Sequence, residues 1–165
     1  MPRNTILAVA VTAAAAALSG CLDSENPLGP LAECELTTAN LADVPGDTLS
    51  MTGGPRYIER EPSTDTRAQS GNSVDVCYVG RFTSGQTFDA GVLPGNGQPP
   101  LVIGQGQLIP GFENGLVGIG VGGIRRLIVP PELGYGDDPV VDRAGNVVIP
   151  ANSTLVFDVQ LLRIR

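Results

Sequence analysis

Two segments in which apolar and polar residues alternate constrain the fold of this 165-residue chain most strongly. Residues 73–83 read S-V-D-V-C-Y-V-G-R-F-T, and residues 153–164 read S-T-L-V-F-D-V-Q-L-L-R-I. Both segments are rich in β-branched and aromatic residues, which favour strands. Alternation places successive side chains on opposite faces of a strand, so we predict two long strands that each turn one face to a core.

Four shorter segments also have strand character, and one segment is typical of a short helix. Residues 107–118 read Q-L-I-P-G-F-E-N-G-L-V-G, which is short and rich in glycine for a helix. We expect its glycines to let the helix approach the sheet closely and to end it early. The shorter strands are predicted at residues 55–61, 86–90, 101–104 and 124–129. Five or six strands with one short helix indicate an α+β fold dominated by antiparallel strands.

Composition excludes several classes of function. The chain has no His, which removes His-based catalytic triads and the commonest metal ligand, and we predict neither a metal nor a cofactor. Its formal net charge is −7, so it lacks the basic surface that nucleic-acid binding requires. It contains 22 glycines and 14 prolines, which favour a loop-rich β or α+β domain over a helical bundle.

The first twenty residues have the pattern of a secretory signal. Arg3 precedes an apolar, alanine-rich stretch at residues 5–18 that is too short for a transmembrane helix. The following L-S-G-C resembles the lipobox of bacterial lipoproteins, which implies cleavage before Cys21 and acylation of Cys21. A membrane anchor through this lipid is expected, and Leu22 after the cysteine favours the periplasmic side of the outer membrane in the cell envelope. An ordinary signal peptide with a chance cysteine is the alternative.

The remaining chain divides into a tether and a domain. Residues 21–47 are acidic, contain scattered proline and show no sustained period, so we expect a flexible tether. The folded domain is predicted to span residues 48–165. If Cys21 is acylated, Cys34 and Cys77 are left, and an exported compartment permits a disulfide between them. Alternation puts Cys77 on the strand face opposite Tyr78, where the tether can reach it; two free thiols are the alternative.

An ordered set of motifs in the last 110 or so residues resembles the FKBP-type peptidyl-prolyl cis-trans isomerases. The set runs Y-V-G, T-F-D, L-V-I-G-Q-G-Q-L-I-P-G-F-E-N-G-L, V-G-G-I-R-R-L-I-V-P-P-E-L-G-Y-G and V-I-P-A-N-S-T-L-V-F-D-V-Q-L-L. The resemblance implies a twisted antiparallel half-barrel sheet of five to six strands, wrapped around one short helix, with a cleft between them.

The resemblance also implies which residues form this cleft. The catalytic set is Tyr78, Asp89 and Tyr135, where Asp89 orients its neighbours and Tyr135 presents its hydroxyl to a substrate carbonyl. The N–H of Ile109 is expected to bind the carbonyl that follows the proline. Phe112 forms the floor in a place where many members have Trp. The substrate-binding set is Phe88, Leu101, Leu108, Ile109, Phe112, Ile149 and Phe157.

The expected partners follow from the same resemblance. They are proline-containing polypeptides of the cell envelope, whose folding the enzyme would assist, and macrolide inhibitors. The sequence departs from the compact members of the family at three places. Phe112 stands where many members have Trp, Leu101 stands where the family often has Phe, and the loop at residues 136–148 is longer. The alternative function is a module that binds proline-containing segments or a partner with little catalysis.

Some residues in these motifs have simpler interpretations. Glu113 and Asn114 are interpreted as first-turn residues that favour a helix N-terminus. Phe82 is interpreted as a core residue. Arg125 and Arg126 are interpreted as strand residues, with at least one on the solvent face.

Overall fold

The computed structural model of the chain describes residues 36, 48–94 and 97–165. The described residues belong to one compact unit, Leu31–Arg165. The predicted signal peptide, Cys21 and Cys34 lie outside the described residues. Within the described ranges, no helix is both long enough and apolar enough to cross a membrane.

The elements follow the predicted order, and the α+β fold class is confirmed. Each of the six predicted strands has a counterpart, and three short strands were not predicted: β1, β7 and β8. In chain order the elements are β1 (Leu49–Ser50), β2 (Arg56–Glu61), β3 (Ser73–Phe82), β4 (Thr87–Leu93), β5 (Leu101–Val102), α1 (Pro110–Leu116), β6 (Ile124–Val129), a 3₁₀ turn (Pro131–Leu133), β7 (Val140–Val141), β8 (Val147–Ile149) and β9 (Leu155–Ile164).

Seven of the strands form one antiparallel sheet. Its order is β1-β2-β6-β9-β3-β4, and the short β5 pairs with β3. The two long strands predicted from alternation, β3 and β9, are neighbours near the middle, where Tyr78 pairs with Val159 and Gly80 with Phe157. β7 and β8 form a separate hairpin within the loop that the sequence marked as longer.

Helix α1 packs against β6 through two glycines one helical turn apart. A Cβ atom at Gly111 would lie 2.4 Å from Cγ1 of Val129, and one at Gly115 would lie 2.5 Å from Cδ1 of Leu127. Neither distance leaves room for a side chain. The expectation that these glycines bring helix and sheet together is therefore confirmed, and Pro110 occupies the first turn, where its missing N–H leaves no hydrogen bond unmade.

The interpretation that at least one of Arg125 and Arg126 faces solvent is wrong, because both side chains are buried. Arg125 lies on the inner face, where Nη1 donates to the carbonyls of Gly115 (2.7 Å) and Val117 (2.8 Å) at the end of α1. Arg126 lies on the outer face and makes a bidentate ion pair with Asp158. Each of the two guanidinium groups thus contacts protein groups, whereas the sequence pattern suggested that at least one would contact solvent.

The prediction that Cys77 lies on the face opposite Tyr78 is confirmed. Its Sγ lies 3.6 Å from Oε1 of Gln160 on the outer face of the sheet, whereas the ring of Tyr78 packs against the inner core. Cys77 is fully buried. The other two cysteines lie outside the described residues, so the disulfide stays a prediction.

Candidate active site

A cavity of about 360 Å³ opens between the inner face of the sheet and helix α1. This size is within the range of small-ligand sites, roughly 300–1,000 Å³. Eight of the ten residues predicted for the catalytic and substrate-binding sets line it, together with two residues that were not predicted. The lining residues are Tyr78, Phe88, Asp89, Leu93, Gln107, Leu108, Ile109, Phe112, Tyr135 and Phe157.

Three aromatic rings in contact form the floor. The ring of Phe112, a residue only 3% exposed, lies 5.1 Å from the ring of Phe157 and 5.7 Å from that of Tyr78, nearly perpendicular to each. Edge-to-face pairs of this kind contribute about 0.5–1.5 kcal/mol beyond the area they bury. The floor is therefore apolar, and Phe112 lies in it at the place that the resemblance implied.

Gly80 in β3 makes room for the aromatic rings of the cavity, a role that was not predicted from the sequence. A Cβ atom there would lie 2.8 Å from Cζ of Phe88 and 2.9 Å from Cε1 of Phe157. Edges of the two rings therefore approach the backbone of the strand closely, and the ring centroids lie 5.7 Å apart. A glycine inside a strand signals such a close approach in general, but the sequence alone does not say which group approaches.

The hydroxyl of Tyr78 donates a hydrogen bond of 2.7 Å to Oδ2 of Asp89. Oδ1 of the same carboxylate accepts the N–H of Ala90 at 2.9 Å, which fixes its orientation. Burial, and then the hydrogen bond to Asp89, raise the pKa of the Tyr78 hydroxyl well above its usual value. Tyr78 is therefore protonated at neutral pH, and Asp89 acts on it as an acceptor and not as a base.

Tyr135 brings a second hydroxyl to the cavity from the loop after the 3₁₀ turn. The residue is 42% exposed, so its hydroxyl is accessible to a bound ligand. Burial, and then the charge of Asp89, raise the pKa of Tyr135. The backbone of Gly136 anchors this loop, because its N–H donates to Pro131 and its carbonyl accepts from Asn152. Tyr135 is thus a protonated donor held at the cavity mouth.

The backbone at Ile109 supplies a further donor. Its carbonyl accepts the N–H groups of Phe112 (3.0 Å) and Glu113 (3.2 Å), which starts helix α1. Among the described residues, the N–H of Ile109 itself makes no hydrogen bond. This group therefore lies at the cavity rim with its hydrogen-bonding capacity unused.

Leu101 and Ile149, both predicted to contact substrate, do not line this cavity. Each is buried in the core. Leu101 pairs with Val74 in the short β5, and Ile149 pairs with Val140 at the base of the β7–β8 hairpin. In both cases strand pairing directs the side chain into the packed interior.

Leu93 and Gln107 line the cavity but were not predicted. The predicted strand ends at residue 90, but pairing with Val76 of β3 extends β4 as far as Leu93. Gln107 is tied to the β5 region, since its Oε1 accepts the N–H of Val102 and its Nε2 donates to Pro100. Neither contact has a signal in the local sequence.

The arrangement is suited to binding. Protonated tyrosines and a free N–H surround an apolar floor, and the described part of the chain contains no cluster of three His, Cys, Asp or Glu that could hold a metal ion. The fold and site together form an aromatic cleft between an antiparallel sheet and a short helix, with hydrogen-bond donors at its mouth.

Residues 64–162 match the sequence model of the FKBP-type peptidyl-prolyl cis-trans isomerases. The chain belongs to this family, which confirms the resemblance found in the motifs. Among curated relatives it is 41% identical over 118 residues to "FK506-binding protein 4" of Chaetomium thermophilum, covering 71% of this chain and 23% of the relative. It is 39% identical over 109 residues to "FK506-binding protein 1A" of Neurospora crassa, covering 66% of this chain and 85% of the relative.

Solved structures agree with this assignment. The crystal structure of AtFKBP13 superposes with a TM-score of 0.58 at 27% identity, covering 67% of this chain and 92% of that one. FkpA from Escherichia coli gives a TM-score of 0.53 at 34% identity, covering 67% of this chain and 47% of that one. The chain spans about a quarter of the length of the first fungal relatives, so the likeness to them concerns one domain.

Proposed function

We propose that this chain is a peptidyl-prolyl cis-trans isomerase that assists the folding of exported proteins. One observation supports this most: the cavity combines an aromatic floor with a Tyr78–Asp89 pair, the hydroxyl of Tyr135 and the free N–H of Ile109. A packed core needs no cavity and no accessible donors. The family to which the chain belongs is named for peptidyl-prolyl cis-trans isomerisation.

Catalysis of this reaction requires binding and not a nucleophile. Rotation about the X-Pro bond has a barrier of about 18–20 kcal/mol, because it breaks amide resonance. The twisted amide has a less polar carbonyl than the planar one, so an apolar floor of Phe112 and Phe157 favours the twisted form. Hydrogen bonds from Tyr135 and Ile109 hold the flanking carbonyls while the bond rotates. No proton transfer is involved.

The test is acceleration of a proline-limited refolding reaction by the full chain. Isomerisation without a catalyst takes tens to hundreds of seconds, so a catalysed phase is easily separated. We expect acceleration that the Tyr135→Phe and Asp89→Ala variants reduce. Binding of a proline-containing peptide without any acceleration would instead favour the alternative, a binding module with little catalysis. Competition by FK506 tests the proposed macrolide binding. We expect modest affinity, because Phe112 stands where many family members have Trp.

We also propose that the chain is a lipoprotein of a bacterial cell envelope. The support is the sequence: a short apolar segment with Arg3 before it and L-S-G-C at its end. Several acyl chains on Cys21 would anchor the domain firmly, since each buried methylene contributes about 0.8 kcal/mol. Mass spectrometry of the mature N-terminus should show acylated Cys21, and an unmodified N-terminus elsewhere would refute the anchor.

The disulfide of Cys77 is proposed to join the tether to the domain. Cys34 is the partner that remains once Cys21 carries lipid, and export permits oxidation. Peptide mapping without reduction should recover one fragment that contains both Cys34 and Cys77. Recovery of Cys77 joined to Cys21 would contradict the pairing and the lipid anchor together.

A further inference from the structure

Glu113, the residue after the floor residue Phe112, has a buried carboxylate that accepts four backbone hydrogen bonds. Oε2 accepts the N–H groups of Gly104 (3.0 Å) and Gly106 (3.2 Å), and Oε1 accepts those of Gln107 (2.7 Å) and Leu108 (3.1 Å). All four donors lie in residues 104–108, which we call the rim segment. The interpretation of Glu113 as an ordinary first-turn residue is therefore incomplete.

The rim segment depends on this carboxylate for its conformation. It contains no helix or strand, and its residues other than Leu108 are exposed. Gly104 and Gly106 have φ angles of +89° and +69°, a region that glycine adopts readily and other residues do not. These turns direct the N–H groups inward to one point, where Glu113 is only 5% exposed. Charge-assisted hydrogen bonds to an ionised acceptor are roughly twice as strong as neutral ones.

The rim segment leads directly into the cavity. Gln107 and Leu108 line it, and the next residue, Ile109, carries the free N–H. Glu113 also follows Phe112 within helix α1, so a single side chain joins the floor of the cavity to its rim. A shift of the rim segment would move Leu108 and the N–H of Ile109 away from the floor.

We propose that Glu113 is a positioning residue, which sets the affinity of the cleft for proline-containing segments by holding its rim in place. The proposal rests on the proposed isomerase function for its kinetic part only. The rim holds the planar and the twisted amide alike, so its loss weakens binding of both. Uniform binding of this kind changes KM and leaves kcat nearly unchanged.

The decisive variant is Glu113→Gln in the full chain. A carboxamide has one acceptor oxygen and presents an NH₂ group where the second carboxylate oxygen accepted, so it cannot satisfy all four donors. We expect KM for a Leu-Pro peptide to rise about tenfold, which corresponds to about 1.4 kcal/mol, with kcat within about twofold. Amide exchange at the rim segment should accelerate, whereas amides of β3 and β9 keep their protection.

The matched control is Asn114→Ala, one residue further along the same helix. Its side chain is exposed and donates to Gly53, not to the rim segment. This variant should leave KM and exchange at the rim unchanged. An equal rise of KM in both variants would show a general effect on the helix and overturn the proposal, as would unchanged KM and unchanged rim exchange in Glu113→Gln.

Two further measurements keep the outcomes distinct. If Glu113→Gln does not fold, Glu113→Asp decides, since it keeps the charge but shortens the reach: faster rim exchange with raised KM supports the proposal, and wild-type values refute it. If the wild type binds the Leu-Pro peptide but does not catalyse, the proposed isomerase function fails alone. The positioning role is then judged by peptide affinity, which Glu113→Gln should lower about tenfold.

Discussion

The two faces of the main sheet are formed by alternate residues of the same strands, but one borders an open cavity and the other holds a buried ion pair. On the inner face, Tyr78 and Phe157 turn aromatic rings to the cavity and leave it partly open. On the outer face, the next residue of β9, Asp158, is fully buried and binds Arg126 through Nε (2.8 Å) and Nη2 (3.0 Å). Arg81 lies 3.4 Å from the same carboxylate.

The difference shows where binding and stability reside. The inner face has room for a ligand and keeps protonated hydroxyls accessible, so a ligand can replace water there. On the outer face the carboxylate of Asp158 is buried and bound by Arg126 and Arg81, so it is not available to a ligand. Substitutions on the inner face should therefore change stability and activity together, whereas those on the outer face should change stability alone.

The largest effect is expected for Phe112→Ala, in the helix that packs against the inner face. Removal of this buried ring leaves a void beneath the cavity, which typically costs about 3–5 kcal/mol of unfolding free energy. The floor disappears at the same time, so isomerase activity per folded molecule should also fall. Urea unfolding and refolding assays measure the two effects. Wild-type activity in the folded fraction would contradict the role of Phe112 as a floor.

The matching test on the outer face is Asp158→Ala. This variant removes the carboxylate that binds Arg126 and Arg81 in a buried setting, and breaking such a pair typically costs about 3 kcal/mol or more. Activity of the folded fraction should stay at the wild-type value, because Asp158 does not line the cavity. A loss of activity larger than the loss of folded protein would show that the two faces are coupled.

Gly115→Ala tests the close approach between helix and sheet, and its effect should be smaller. The added methyl group meets Leu127, whose Cδ1 and Cδ2 would lie 2.5 and 2.6 Å away. Overpacking of this kind costs about 1–3 kcal/mol. Helix α1 would also shift outward with Phe112, so we expect a moderate rise of KM. Asn114→Ala on the exposed side of the helix is the control and should change neither quantity.

Tyr135→Phe should change activity with almost no loss of stability. The residue is half exposed, and no hydrogen bond of its hydroxyl to the described residues is present. Loss of one hydrogen bond to the substrate carbonyl is worth about 1 kcal/mol, or roughly fivefold in kcat/KM. Thermal unfolding should be unchanged. A wild-type kcat/KM in this variant would mean that Tyr135 does not donate to the substrate.

Sequence patterns predicted the inner face better than the outer one. The resemblance carried by the ordered motifs assigned Tyr78, Phe88, Phe112 and Phe157 to one cleft, and all four line the cavity. The sequence patterns gave no indication that Arg126 and Asp158 are buried as a pair, since a polar residue on alternate positions normally faces solvent. Pairing of this kind depends on register across strands, which a single sequence does not show.

The same limit applies within the site. Glu113 was recognised as a helix residue from its position after Pro110, but its four acceptor contacts come from a loop whose fold is set by two positive φ angles. Leu101 was assigned to the cavity by resemblance, and pairing with Val74 directs it to the core instead. Local chemistry is thus readable from the sequence, whereas contacts between segments need the structure.

The smallest expected effect is a change of stability with pH that comes from Tyr78 on the inner face. The chain has no His and no Lys, so few of its groups change charge between neutral pH and about pH 10. Burial, and then the hydrogen bond to Asp89, raise the pKa of Tyr78 in the folded state above its value of about 10 in the unfolded chain. The folded state therefore holds this proton more tightly than the unfolded state does.

Because the pKa of Tyr78 is higher in the folded state than in the unfolded state, the direction of the pH effect on stability is fixed. The contribution of Tyr78 to stability is complete below about pH 10, and it is lost as the pH rises toward the folded-state pKa, because the unfolded chain releases its proton first. Urea midpoints of the wild type should fall above pH 10, and those of Tyr78→Phe should fall less steeply. Equal slopes in the two proteins would show that the Tyr78 hydroxyl is not held by burial and by Asp89 in the folded state.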